Sequence, residues 1–151
     1  MNVSGKRVFL DTNILLYYID AADPQKHRSA RQWVEAISNA QAGAISWQVL
    51  NEFYANASRK FKLPSGDARQ IVATYDLWNP IGFDLGLLRH AWQWIDDAGI
   101  PYWDALILAA AERADCTHLL SEDFQAGRQY GAITVVNPFL SSPEEFFTYL
   151  S

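Results

Sequence analysis

A chain of 151 residues, half of them hydrophobic and 14% aromatic, is too apolar to be disordered and long enough to bury a core. At this length a domain hides about 68–70% of the surface its unfolded chain exposes. A net charge of −5 argues against broad electrostatic binding to a polyanion, although cations held by clustered acids would cancel part of that field. The longest apolar run, Ala105 to Ala111, has seven residues, against the roughly 20 needed to span a bilayer. Asp11 interrupts what would be the apolar part of a leader, so the expectation is a cytoplasmic protein with no membrane partner. The lone Cys116 can form neither an internal disulfide nor a zinc cluster and reads as a small core residue.

In chain order, Val8-Phe9-Leu10 reads as a short buried strand that runs straight into Asp11. A helical apolar stripe follows from Ile14 to Ile19, with Thr12 or Asn13 expected as its N-cap. Asp23-Pro24 marks a turn, and His27 to Asn39 reads as a helix with Ala30, Trp33, Val34 and Ile37 on one face. Gln41-Ala42-Gly43 breaks it. Ala44-Ile45-Ser46 is extended, and Ser46 is placed to cap a helix from about Gln48 to Phe61 that carries Glu52 in its first turns.

Ser65 is expected to cap the next helix, Asp67 to about Trp78, which Asn79-Pro80 stops. Ile81-Gly82-Phe83 reads as a short strand. Asp84 caps a helix with Leu85, Leu88, Trp92 and Ile95 in register, ended by Gly99 and Pro101. Asp104 opens the most apolar helix, Ala105 to Ala114, expected against the sheet centre. Thr117 to Leu120 is a strand leading into Ser121-Glu122-Asp123, and Ala132 to Val136 is the last strand. Strands alternating with helices imply an α/β domain with a parallel sheet flanked by helices, and no linker or repeat divides the chain.

Four acids fall at comparable places. Asp11 follows the first strand, Glu52 lies in the helix after the second, Asp104 opens the buried helix and Asp123 follows the Leu119-Leu120 strand. Residues just past the C-terminal ends of parallel strands converge on one edge of the sheet. Carboxylates brought together raise one another's pKa, and such a group generally persists because cations occupy it. An all-oxygen donor set favours Mg2+ or Mn2+ over zinc, in one or two sites. Ions of this kind serve in-line phosphoryl chemistry. Plainer readings exist for each residue: Asp11, Asp104 and Ser121 as caps, Glu52 as a solvated helix acid, Asp123 as a turn acid with Glu122 as its possible replacement. The coincidence of four at one edge is what points to a site.

These residues also carry a resemblance. Phe9-Leu10-Asp11-Thr12-Asn13, Ile45-Ser46 with Val49-Leu50-Asn51-Glu52-Phe53, Tyr102-Trp103-Asp104-Ala105-Leu106-Ile107 and Leu119-Leu120-Ser121-Glu122-Asp123-Phe124 follow one another as in PIN-domain ribonucleases. Among these the chain resembles VapC-type toxins of bacterial toxin–antitoxin pairs, over essentially its whole length as a single domain, 1–151. The resemblance implies the three-layer α/β/α PIN fold and metal-dependent endonucleolytic cleavage of RNA. It places the family's four acidic positions on Asp11, Glu52, Asp104 and Asp123, its polar position after the first acid on Thr12, and its small hydroxyl on Ser121. A cognate antitoxin and a homodimer are further implications.

In the resulting mechanism Asp11, Asp104 and Asp123 hold an Mg2+ or Mn2+ ion, Glu52 orients a second ion or the attacking water, and hydrolysis leaves 5′-phosphate and 3′-hydroxyl ends. Arg59, Lys60, Lys62 and Arg69 are candidates for the RNA backbone, with a solvated helix face as the plainer reading. Trp103 could stack a base, but a packing role for its ring is the expectation, and Trp92, Trp94 and Tyr102 read as core or interface. His27, His90 and His118 receive no catalytic role. A PIN-like binding module with a degraded site is the alternative, and the presence of all four acids counts against it. A phosphatase of haloacid-dehalogenase type would want an acid where Asn13 stands and a Lys beyond Lys62, where none occurs.

Overall fold

The computed structural model describes residues 5–148. Its sheet is built from β1 (Val8–Leu10), β2 (Gly43–Ala44), β3 (His118–Leu120), β4 (Gln129–Tyr130) and β5 (Ile133–Val136), in the order β2-β1-β3-β5-β4. All neighbours are parallel except β4 and β5, which are antiparallel. The parallel centre has the buried, apolar strands expected of a sheet covered on both faces: Val8, Phe9, Leu10, Leu119 and Leu120 are fully buried.

Among the described residues seven α-helices surround it: α1 (Thr12–Ile19), α2 (Pro24–Asn39), α3 (Trp47–Phe61), α4 (Ser65–Tyr75), α5 (Leu85–Ala98), α6 (Tyr102–Arg113) and α7 (Pro143–Thr148). Helix α1 packs on α2 and α3, α4 packs on α3, and α7 on α2; α5 and α6 form a second group, with α6 against β3. Residues 105–111 of α6 are all buried, so this helix is apolar all round and fills the interior rather than lying on it. At the junction of β2 with the turn after α4, a Cβ on Gly43 would lie 2.2 Å from the Trp78 ring, so only glycine fits beneath the indole.

Several local readings change. Asp11, not Thr12 or Asn13, is the N-cap of α1, since its extended backbone lets its carboxylate accept from the Thr12 N–H. Helix α4 begins at Ser65, one residue earlier than a Ser65 cap requires, and the segment to Trp78 finishes as a 3-10 turn at Asp76–Trp78. Ile81-Gly82-Phe83 reduces to one parallel bridge between Ile81 and Ser46. The antiparallel β4 and helix α7 are additions to the expected elements. Ser46 and Asp84 do cap α3 and α5, accepting from Val49 N and Leu87 N, and Gly99 ends α5 in the left-handed region at φ 64°.

Candidate active site

The register of the sheet explains how the site is assembled. Leu10 pairs with Leu120 and Leu120 with Val136, so β1, β3 and β5 end level with one another. The ladder continues one step further: Asp11 N donates to Leu120 O at 3.1 Å and Ser121 N to Val136 O at 3.0 Å. Asp11 and Ser121 are therefore neighbours at the C-terminal edge, and Ser121 Oγ donates to Asp11 Oδ2 at 2.7 Å. The same Oγ accepts from the backbone N–H of Asp123 at 3.1 Å, which fixes the turn that carries the last acid.

The two residues after Asp11 bind the other acids. Thr12 Oγ1 donates to Glu52 Oε2 at 2.8 Å, joining α1 to the second turn of α3. Asn13 Nδ2 donates to Asp123 Oδ2 at 3.0 Å and lies 3.5 Å from Asp11 Oδ2, while Asn13 Oδ1 accepts from Glu122 N at 3.3 Å. Both were expected only as caps or supporting residues. Their side chains instead hold Asp11, Glu52 and Asp123 in one network.

Asp104 comes from the opposite side. It is the third residue of α6, not its cap, and the helix start, with its outward N–H groups, favours its negative charge. Asp104 is partly buried. Its carboxyl is pushed above the usual range by burial, then by the charges of Asp123 and Glu52.

Asp11 is more strongly affected. Burial raises its pKa to about 6; hydrogen bonds from Ser121 and Thr12 oppose the rise, and the charges of Asp123 and Asp104 add to it. Asp11 thus feels the charges of Asp123 and Asp104, and Asp104 those of Asp123 and Glu52, across the edge of the sheet. Among the described residues, no three candidate ligands converge on one cation-sized point. The donor set would still suit a hard divalent cation: all candidate ligands are carboxylate oxygens, Asp11 and Asp104 are raised by like-charged neighbours, and the buried Asp11 is held by uncharged donors alone.

Two contributors go beyond the expected site: Gln48, which is not among its residues, and Glu122, expected only as a possible replacement for Asp123. Gln48 is buried, and its Nε2 donates to Glu52 Oε1 at 3.1 Å and to the Trp103 carbonyl at 3.2 Å, tying α3 to the start of α6. Spacing offered a clue, since Gln48 stands one helical turn before Glu52. Glu122 forms an ion pair with Lys26, which is also 3.3 Å from the Tyr17 hydroxyl. Glu122 is thereby occupied by a cation of the chain itself, unlike Asp123 beside it.

The basic residues lie apart. Arg59 and Lys60 occupy the last turn of α3, Lys62 caps it in the left-handed region, and Arg69 on α4 donates to the Tyr54 hydroxyl at 3.0 Å. All four are exposed, and Lys60 stands roughly 12 Å along α3 from Glu52, from the rise of 1.5 Å per residue. Trp103 does not pack as expected: it is 60% exposed beside Asp104, its ring tilted against Tyr102 at a centroid distance of 5.2 Å.

The PIN-domain family profile matches residues 8–131, a span that runs from β1 through β4 and includes all four acids, and the chain belongs to that family. Its fold is similar to that of VapC20 from Mycobacterium tuberculosis, described as a toxin that cleaves the sarcin–ricin loop. The two are 19% identical, with a TM-score of 0.60 over 77% of this chain and 89% of that one. It is similar also to a chain of a toxin–antitoxin complex from Klebsiella pneumoniae: 18% identity, TM-score 0.62, 87% of this chain and 97% of that one. No curated protein matched the chain in a sequence comparison.

Proposed function

We propose that this chain is a metal-dependent endoribonuclease, the toxin of a toxin–antitoxin pair, and that all of 1–151 forms one PIN domain. The observation that carries the proposal is the convergence of Asp11, Glu52, Asp104 and Asp123 on the C-terminal edge of a parallel sheet in a PIN-family chain. The toxin descriptions of two structural neighbours support the narrower part of the reading.

Asp11, Asp104 and Asp123 would hold Mg2+ or Mn2+, with Glu52 toward a second ion or the water. The bound cation would supply Lewis-acid activation of water and charge neutralisation at the phosphate. The chain's own part is positional. Ser121 and the Thr12 N–H hold Asp11 by one oxygen each and keep its carboxylate plane fixed. Asn13 sets the distance between Asp11 and Asp123. Thr12 and Gln48 each donate to one oxygen of Glu52, so that its carboxylate is oriented before RNA arrives. Water as nucleophile leaves 5′-phosphate and 3′-hydroxyl ends and needs no ribose hydroxyl.

Arg59, Lys60, Lys62 and Arg69 are proposed contacts for the RNA backbone beyond the cleaved bond. An antitoxin that covers the acid edge, a homodimer and a cytoplasmic location complete the reading. No described helix is long and apolar enough to cross a membrane. The test is cleavage of end-labelled total RNA by the purified protein with and without Mg2+ or Mn2+, beside Asp104→Asn. Discrete cuts that need metal, carry 5′-phosphates and vanish in the variant are expected. Equal activity in the variant, or none in either protein, would leave a binding module in place of the nuclease.

A further inference from the structure

Beside the acids lies a second feature that hydrolysis does not use. A shallow recess of about 410 Å³ is lined by Gln48, Asn51, Glu52, Phe83 and Trp103. Two of its walls are aromatic rings with half or more of their area in solvent: Phe83 is 51% exposed and Trp103 60%. Exposing two large rings in one recess is unfavourable for a lone chain, and neither belongs to the core. The remaining walls are two primary amides and the carboxylate that the recess shares with the acid edge.

The recess is held in register with that edge. Trp103 directly precedes Asp104, and its carbonyl accepts from Gln48 Nε2, which also donates to Glu52. Phe83 follows Ile81, whose bridge to Ser46 anchors it at the start of the helix that carries Gln48 and Glu52. A ligand in the recess is therefore placed relative to the carboxylates by hydrogen bonds and strand pairing rather than by a loose loop.

We infer that Trp103 and Phe83 form a stacking platform for a nucleobase of single-stranded RNA, next to the phosphate that faces the acids. The inference rests on the nuclease reading and narrows its substrate to a strand with an unstacked base at that point. Three observations favour a base as the occupant. Flat, exposed rings flanked by amides match a base's π face and its hydrogen-bonding rim. The recess opens onto Glu52, so its occupant is covalently close to whatever the carboxylates act on. A chain with a net charge of −5 has little long-range attraction for RNA, and stacking supplies affinity that salt does not screen. Asn51, exposed on the rim of the recess, is placed to read the base edge.

The test uses fluorescein-labelled 12-mers of oligoadenylate and oligouridylate, and an abasic 12-mer of the same backbone, with binding followed by anisotropy in EDTA. Wild type should prefer the base-bearing strands. Trp103→Ala should bind them about tenfold or more weakly, while Trp103→Phe keeps most of the affinity, and Phe83→Ala falls between. Binding of the abasic strand should not respond to Trp103→Ala.

Cleavage of total RNA, run on the same proteins, separates the two readings. If wild type and Trp103→Ala cut and bind alike, the platform is overturned and the nuclease stands. If neither the wild type nor any variant cuts or binds RNA, both fall. If Trp103→Ala leaves RNA affinity unchanged but converts a dimer to a monomer by light scattering, the recess covers a second copy of the chain, and the inference is overturned.

Discussion

Asp84 and Asp11 do the same local job in opposite surroundings. Each caps a helix, Asp84 accepting from Leu87 N at the start of α5 and Asp11 from Thr12 N at the start of α1. Asp84 is met by both guanidinium nitrogens of Arg113 at 2.8 Å, and that pairing, with the cap, holds its carboxyl below the usual range. Asp11 is buried, its donors are uncharged, and its charged neighbours Asp123 and Asp104 share its sign, so its pKa rises to about 6. Residue type and capping role do not distinguish a structural acid from one proposed to act in catalysis. What distinguishes them is whether the fold provides the countercharge.

The two surroundings give opposite responses to pH. The lowered pKa of Asp84 means a contribution to stability that is present above the ordinary carboxylate pKa and lost as pH falls through the folded value. For Asp11 the folded state holds the proton more tightly than the unfolded chain. Its contribution is greatest below pH 3.8 and declines as pH rises to about 6, above which the full penalty of the buried charge applies.

The largest expected effect is on cleavage. Asp11→Asn or Asp104→Asn should lower the rate of RNA cleavage at least about 100-fold, in the range seen when a preorganised electrostatic group is removed. Chelation of divalent ions should have the same result and be reversed by Mg2+ or Mn2+; gel analysis of end-labelled RNA reads both. Next comes Ser121→Ala, which removes the donor to Asp11 and the acceptor for Asp123 N. It should weaken the divalent-ion requirement curve by about 10- to 100-fold, as losses of ligand-orienting partners do. Asp84→Ala is the counterpart: the melting temperature falls as a helix cap and ion pair are lost, while cleavage is unchanged. If Asp84→Ala impaired cleavage as Asp11→Asn does, the comparison would break down.

How far the site could be read in advance follows from the same contrast. The positions of Asp11 and Asp123 were legible because each follows a strand, and parallel strands deliver such residues to one edge; Glu52 and Asp104 sit in the early turns of helices, where spacing alone says less. Ser46 and Asp84 were legible as caps because the apolar stripe behind each fixes where its helix can start. The cap at Asp11 was legible only as one of several readings, since Thr12 and Asn13 suit the position too and the choice rests on the extended backbone of Asp11. Helix α6 begins two residues before Asp104 because Pro101 is tolerated ahead of a first turn, so an acid that resembles a cap lies inside the helix. Two-residue β4 is too short to show alternation, and its pairing with β5 turns the edge of the sheet antiparallel. The exposure of Trp103 and the pairing of Lys26 with Glu122 are tertiary facts, the latter across 96 residues of sequence, and no local pattern contains them.

The most direct test is thermal unfolding of the wild type and Asp11→Asn at neutral pH, each with EDTA and with Mn2+. Without metal, the variant should be more stable than the wild type by up to about 3 kcal/mol, the cost of ionising a buried carboxyl whose pKa has risen to about 6. With Mn2+ the wild type should gain stability in proportion to the ion's occupancy of the folded state, and the variant should gain little. An inverted order of stability on adding metal is the predicted result. A wild type that Mn2+ leaves unmoved, or a variant that gains as much as the wild type, would contradict the claim that the buried acid and its like-charged neighbours are held together for a cation.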